Sequence, residues 1–188
     1  MKVLHFSDIH LPPRLGGIPL KDWMGKRVIG GANLLLGRAR EFADGYDKIV
    51  ALDRFREEVE VDLVLFSGDY TALGTRKELR AARQAVQPLM QAPLGYVNVP
   101  GNHDVYVFDV LRHKRWTESF DDTLETDLPH HVVAGGRWPL VRLVGDDVAV
   151  VAVNSARPNP QPWRSSGKIP PRQIDALENV LADRALLD

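Results

Sequence analysis

The sequence predicts an α/β fold built on a mainly parallel sheet. Three observations lead there. Apolar, strand-like runs occur at Lys2–Ser7, Val61–Phe66 and Tyr96–Val99. Stretches with helical periodicity lie between them, and turn-forming residues follow each run directly. Strand, helix, strand, helix, strand in this order implies right-handed crossovers, which join parallel neighbours.

The first strand, Lys2–Ser7, reads as buried, opens the chain and ends at a turn carrying Asp8 and His10. Leu11–Gly17 contains Pro12-Pro13 and Gly16-Gly17 and reads as loop. Pro19–Gly45 mixes apolar residues, glycines and a basic excess, and is expected to form broken helix that covers the mouth of a site. From Asp47 to Glu60 a helix is predicted, with Ile49, Leu52, Phe55 and Val59 on one face. The second strand, Val61–Phe66, is nearly all apolar, as in a strand covered on both faces. Thr75 and Glu78 form a Thr-x-x-Glu capping box at the start of a helix whose inner face is Leu79, Ala82, Val86 and Leu89. Pro88 should disturb its last turn.

After the third strand the pattern changes. Val105–Phe120 reads as helical and Asp121–His131 as polar loop. Leu140–Val144 and Val148–Asn154 form two strands joined by the turn signal Gly145-Asp146-Asp147. The proline-rich Arg157–Pro162 is loop. After Pro170-Pro171 a last helix puts Ile174, Leu177 and Leu181 on one face.

The 188 residues fit one domain, 1–188, of ordinary size. With 44% hydrophobic and 26% charged residues, whole-chain disorder is excluded. A net charge of -1 gives no global basicity, so generic tight binding to nucleic acid is not implied. No cysteine is present, which excludes disulfides, thiolate nucleophiles and thiolate zinc sites. No secretory signal pattern opens the chain, and Ile29–Leu36 is too short and glycine-rich to span a bilayer, so a cytoplasmic protein is expected.

The chemistry lies at the three strand ends: Ser7-Asp8-Ile9-His10, Ser67-Gly68-Asp69-Tyr70 and Pro100-Gly101-Asn102-His103-Asp104. Ligands of open α/β sheets bind beyond the carboxyl ends of strands. Carboxylates, imidazoles and an amide are the donors that hold hard or borderline divalent metals. Asp8 and His10, two residues apart, can reach one ion; Asp69 can bridge two through its two oxygens. Asn102 offers a neutral oxygen, and His103 can protonate a leaving oxygen. Asp104 can orient that imidazole or raise its pKa.

In combination and in order, these motifs resemble those of the calcineurin-like metallophosphoesterase superfamily: Asp-x-His, then Gly-Asp, then Gly-Asn-His-Asp. The resemblance runs from Lys2 through roughly the final helix. It implies a β-sandwich flanked by helices, an αββα arrangement, and hydrolysis of a phosphodiester or phosphomonoester at a dinuclear centre. By the same resemblance Asp8 and His10 ligate the first ion, Asp69 bridges, Asn102 ligates the second, His103 is the acid, and Asp104 is its supporting partner. Two divalent ions, manganese, iron or zinc, are the implied cofactors.

Two later histidine motifs of the family, a Gly-His-His or His-His and a Gly-His-x-His, do not occur in their expected order. The chain ends at Asp188, where the next strand of the family would begin, so a C-terminally incomplete domain with about half of each ligand set is expected. An unfinished sheet edge also leads us to expect poor solubility or oligomerisation. Three readings follow: a fragment of an active hydrolase, a short variant completed by a second chain, or a catalytically silent binding protein on the same fold. The intact Asp8, His10, Asp69, Asn102 and His103 favour the first. His130-His131 precedes the late strands and reads as a surface loop pair, His5 as a packed or hydrogen-bonded strand histidine, and His113 as a residue of a solvated helix face. Trp23, Lys26, Arg27, Arg38 and Arg40, with Lys21, read chiefly as an ordinary basic face, with phosphate contacts as the alternative. A small phosphate ester is favoured over long nucleic acid as partner.

Overall fold

Alternating aliphatic residues and short turns give two small sheets, which share one core. In the computed structural model, residues 1–12, 18, 20, 23, 26–108, 110, 114–159, 161 and 164–186 are described. The first sheet is parallel, in the order β1 (Val3–Phe6), β2 (Leu63–Phe66), β3 (Tyr96–Asn98). Its register pairs Val3 with Leu63 and Val64 with Tyr96. The second is the antiparallel hairpin β4 (Leu140–Val144) and β5 (Val148–Ala152), closed by Gly145 at φ 64°.

Helix α2 (Gly45–Val59) and helix α3 (Arg76–Ala85) supply Ile49, Leu52, Val59, Leu79 and Ala82 to the core that contains Leu4, Leu63 and Val64. The hairpin packs through both faces at its open end, while Leu143 and Val148 near the turn stay exposed. Leu140, Val144, Val150 and Ala152 join that same core, while Val141 and Val151 pack with Val180 of α5 (Pro171–Leu181). Alternate strand residues point to opposite faces, so one hairpin serves both layers. This is a mixed α/β fold with helices outside paired sheets.

The capping box forms as written in the sequence. The Thr75 hydroxyl accepts from Glu78 N, and Glu78 Oε2 accepts from Thr75 N at 2.9 Å. Glu78 Oε1 also accepts from Ala72 N and Leu73 N, at 3.3 and 3.2 Å. A cap of this kind contributes about 1 kcal/mol, and here it additionally holds the loop that follows Asp69. Leu79, Ala82, Val86 and Leu89 are all fully buried, and a 3₁₀ turn at Pro88–Gln91 replaces the helix after Ala85.

Three expectations are corrected. Phe55 is 49% exposed and does not share the inner face of α2 with Ile49. Each three-residue step falls about 60° short of a full turn, so two steps carry Phe55 off the buried stripe, where Arg56 takes its place. On α5 the buried residues are Gln173, Ala176 and Val180, whereas Ile174 and Leu181 face solvent. Gln173 turns inward because its amide bridges Asn154 N and Asn154 O, at 2.6 and 3.0 Å. The helix expected over Val105–Phe120 is broken: Lys114 adopts φ 47°, and α4 (Arg115–Ser119) begins after it. A left-handed residue cannot continue a right-handed helix.

The Pro19–Gly45 stretch is helical in pieces, as α1 (Lys26–Leu35) and a 3₁₀ turn at Arg38–Phe42. The readings placed on Pro13, Gly16-Gly17, Lys21 and His113 lie outside the described residues. Among the described residues, no helix is long and apolar enough to cross a membrane.

Candidate metal centre

The loops after β1 and β2 run side by side in an unusual backbone conformation. Asp8, His10 and Asp69 have φ of 55°, 45° and 70°. Such left-handed conformations cost about 1–3 kcal/mol each in non-glycine residues and concentrate at functional sites. Main-chain hydrogen bonds hold them: Asp8 N donates to Gly68 O at 2.9 Å, His10 N to Asp69 O at 3.1 Å and Leu11 N to Tyr70 O at 2.8 Å. The β3 loop closes over this pair so tightly that two glycines are required. A Cβ on Gly68 would lie 2.6 Å from Gly101 Cα, and one on Gly101 would lie 2.0 Å from Asp69 Oδ1.

Donor atoms of Asp8, His10 and Asp69 all lie within 4.8 Å of one another. His10 Nε2 is 3.9 Å from both Asp8 Oδ1 and Asp69 Oδ2. Its Nδ1 faces the Thr71 carbonyl at 3.1 Å. A carbonyl only accepts, so Nδ1 carries the proton and Nε2 keeps the lone pair that a metal takes. Ligand bonds of about 2.0–2.2 Å put neighbouring donors about 3–4 Å apart around one ion, so the donor set and its spacing fit a divalent cation. Phe42 stacks on the His10 ring with centroids 4.9 Å apart.

His103 is held the same way one residue further on. Its Nδ1 donates to Ala72 O at 2.8 Å, its backbone N donates to Asp69 Oδ1 at 2.8 Å, and its ring meets His10 edge-on at 4.9 Å. Consecutive carbonyls, Thr71 and Ala72, thus orient both imidazoles. Tyr106 stacks on the other side of His103. Asn102 lines the same cleft, which has a volume of about 470 Å³ and also exposes Lys26, Asn33 and Arg164.

Asp104 differs from the expectation placed on it. Its carboxylate does not orient the His103 ring. Oδ2 accepts from Asp69 N and Gly101 N, both at 3.0 Å, and Oδ1 accepts from Thr71 N at 3.0 Å and Thr71 Oγ1 at 3.1 Å. The side chain is fully buried. Burial and then the Asp69 charge push its carboxyl up to about 7, against the pull of main-chain donors at Gly101, Tyr70 and Thr71. Three of these partners are main-chain N–H groups, which can only donate and so favour the ionised carboxylate. Asp104 therefore ties the β2 and β3 loops together, because a buried carboxylate seeks the nearest unpaired N–H groups.

Beneath the site lies a buried polar chain: Thr123 Oγ1 donates to Asn98 Oδ1 at 2.6 Å, Asn98 Nδ2 to the Tyr70 hydroxyl at 2.8 Å, and the Tyr70 and Tyr96 hydroxyls are 2.7 Å apart. Burial drives both phenols well above the ordinary tyrosine range. Behind the cleft lining, buried Arg27 donates to Leu73 O and Gly74 O at 3.0 and 2.9 Å, pinning α1 to the β2 loop. Arg27 was expected on a basic surface; its guanidinium is instead an internal clamp. Lys26 Nζ sits 4.5 Å over the Tyr106 ring, and burial lowers its pKa.

Sequence reasoning missed the Thr71 and Ala72 carbonyls and the roles of Phe42, Tyr106 and Arg164. Only Lys26 carried a signal, as part of the basic excess. His5 is hydrogen-bonded, with Nε2 3.0 Å from Ser67 Oγ. His130 and His131 lie outside the cleft lining, and His131 is half-buried rather than a surface residue.

The family model for calcineurin-like phosphoesterases matches residues 1–183. No curated protein matches the chain in sequence. With nearly the whole length matched and the strand-end motifs gathered in one cleft, the chain belongs to the calcineurin-like phosphoesterase family, whose chemistry is metal-dependent hydrolysis of phosphate esters.

Proposed function

We propose that this cleft hydrolyses a small phosphodiester or phosphomonoester with two divalent ions held by Asp8, His10, Asp69 and Asn102. The observation that carries the reading is the convergence of Asp8, His10 and Asp69, with the His10 proton on Nδ1, donated to Thr71 O, and Nε2 facing both carboxylates. In this reading Asp8 and His10 would hold one ion and Asn102 the other, with Asp69 shared between them. The oxygen and imidazole donors suit manganese, iron or zinc. When bound, such ions activate water and clamp phosphate oxygens.

The chain's own residues do the remaining work. With Nδ1 committed to Ala72 O, His103 in its imidazolium form hands the Nε2 proton to the leaving oxygen, a contribution of about 10²–10⁴-fold. Tyr106 and His10 restrict its ring. Lys26 and Arg164, which line the same cleft, supply positive charge for a phosphate group.

The test is turnover of bis-p-nitrophenyl phosphate by the purified chain after chelation and reloading with manganese, iron or zinc. Turnover should vanish with chelator and return with metal. Absence of turnover with all three metals would contradict the enzyme reading and favour a binding protein on this fold.

A further inference from the structure

Away from the cleft, three metal-ligating side chains from distant parts of the chain converge. His130 and His131 occupy the 3₁₀ turn Pro129–His131, and Asp183 lies just beyond α5, with its backbone N donating to Val180 O at 3.1 Å. Asp183 Oδ2 is 2.6 Å from His131 Nε2 and 3.1 Å from His130 Nε2. Ligand atoms of the three residues all lie within 4.8 Å of one another. The two imidazoles are 4.2 Å apart, inclined at 44°. His131 and Asp183 are mostly covered, at 12% and 18% side-chain exposure, whereas His130 at 62% leaves the group open to solvent on one side.

One carboxylate oxygen facing two imidazole nitrogens is an electron-rich arrangement. With both rings in the Nδ1–H form, three lone pairs point at one another, and only protons or a cation between them relieve the repulsion. Two imidazoles and a carboxylate are a ligand set that zinc takes, with water in the fourth position. Tetrahedral bonds of about 2.0–2.1 Å separate donors by about 3.3 Å. The 3.1 Å pair is close to that already, and the 2.6 Å pair has to open by less than about 1 Å. None of the three residues lines the cleft. Beneath them Leu128, Val141 and Val180 pack together, so an ion here would clip the end of α5 to the 3₁₀ turn Pro129–His131 above that cluster.

We propose that His130, His131 and Asp183 form a structural zinc site, separate from the cleft and independent of its chemistry. Zinc content of the full-length chain is measured after equilibrium dialysis for wild type, His131→Gln, Asp183→Asn and His130→Gln. Thermal midpoints are taken with and without zinc. Each variant should hold one zinc equivalent fewer than wild type and lose part of the zinc-dependent rise in midpoint. His130→Gln changes the most exposed ligand, so a folding defect does not obscure its result. Equal zinc content and an equal zinc-dependent rise in wild type and His130→Gln would overturn the proposal. So would a loss of metal-free stability in His130→Gln with zinc content unchanged, since that marks a simple histidine–carboxylate ion pair.

Discussion

Asp69→Asn is expected to lower metal-dependent turnover by about a thousandfold or more, corresponding to several kcal/mol of lost metal-centred stabilisation, while the thermal midpoint stays near that of wild type. The substitution is nearly isosteric. Its remaining oxygen still accepts from His103 N, the contact that Asp69 Oδ1 makes at 2.8 Å, so the β3 loop keeps its place. What disappears is the negative charge that faces His10 Nε2 at 3.9 Å and closes the Asp8–His10–Asp69 group. Steady-state kinetics with manganese, alongside metal content by elemental analysis, checks both halves. A variant with wild-type turnover would remove Asp69 from the proposed centre.

Asp104→Ala should act on stability first. Removing the carboxylate strands the N–H groups of Asp69, Gly101 and Thr71 inside the protein. Each buried donor left without a partner costs about 1–3 kcal/mol, and with Gly101 only half-buried the lower end of the three-donor sum, about 3–5 kcal/mol, is expected. Urea unfolding monitored by tryptophan fluorescence would show the midpoint fall. Because the same N–H groups set the φ 70° conformation of Asp69, metal affinity should fall with it. If Asp104 acted on the His103 ring, turnover would drop with the unfolding midpoint unchanged.

Much of this arrangement was legible in the sequence. Continuous apolar runs marked β1, β2 and β3; β2 and β3 are covered on both faces and need no polar alternation, whereas β1, expected to be buried, leaves Val3 and His5 exposed. Thr75 and Glu78 announced α3, and Gly145-Asp146-Asp147 the hairpin. Asp8, His10, Asp69, Asn102 and His103 were legible as one group only because each directly follows a strand of the same parallel sheet.

The parts that escaped share a physical reason. The Thr71 and Ala72 carbonyls orient two imidazoles, yet a main-chain acceptor leaves no mark on residue identity. Asp104 looked like the partner of its neighbour His103, but its buried oxygens were claimed by N–H groups from residues far away in sequence. Arg27 read as surface charge until α1 was seen against Leu73 and Gly74. His130 and His131 gained a carboxylate partner 52 residues or more away, which no local pattern encodes. Ile174 and Leu181 share a helical face, but Gln173 turned the other face inward through Asn154.

The central claim is that the strand-end cleft is a metal centre, and anomalous scattering from crystals grown with manganese tests it most directly. A peak is expected among Asp8, His10 and Asp69, and a second on the Asn102 side of Asp69. Crystals of fully folded protein that show no anomalous peak in this cleft at saturating manganese would contradict it.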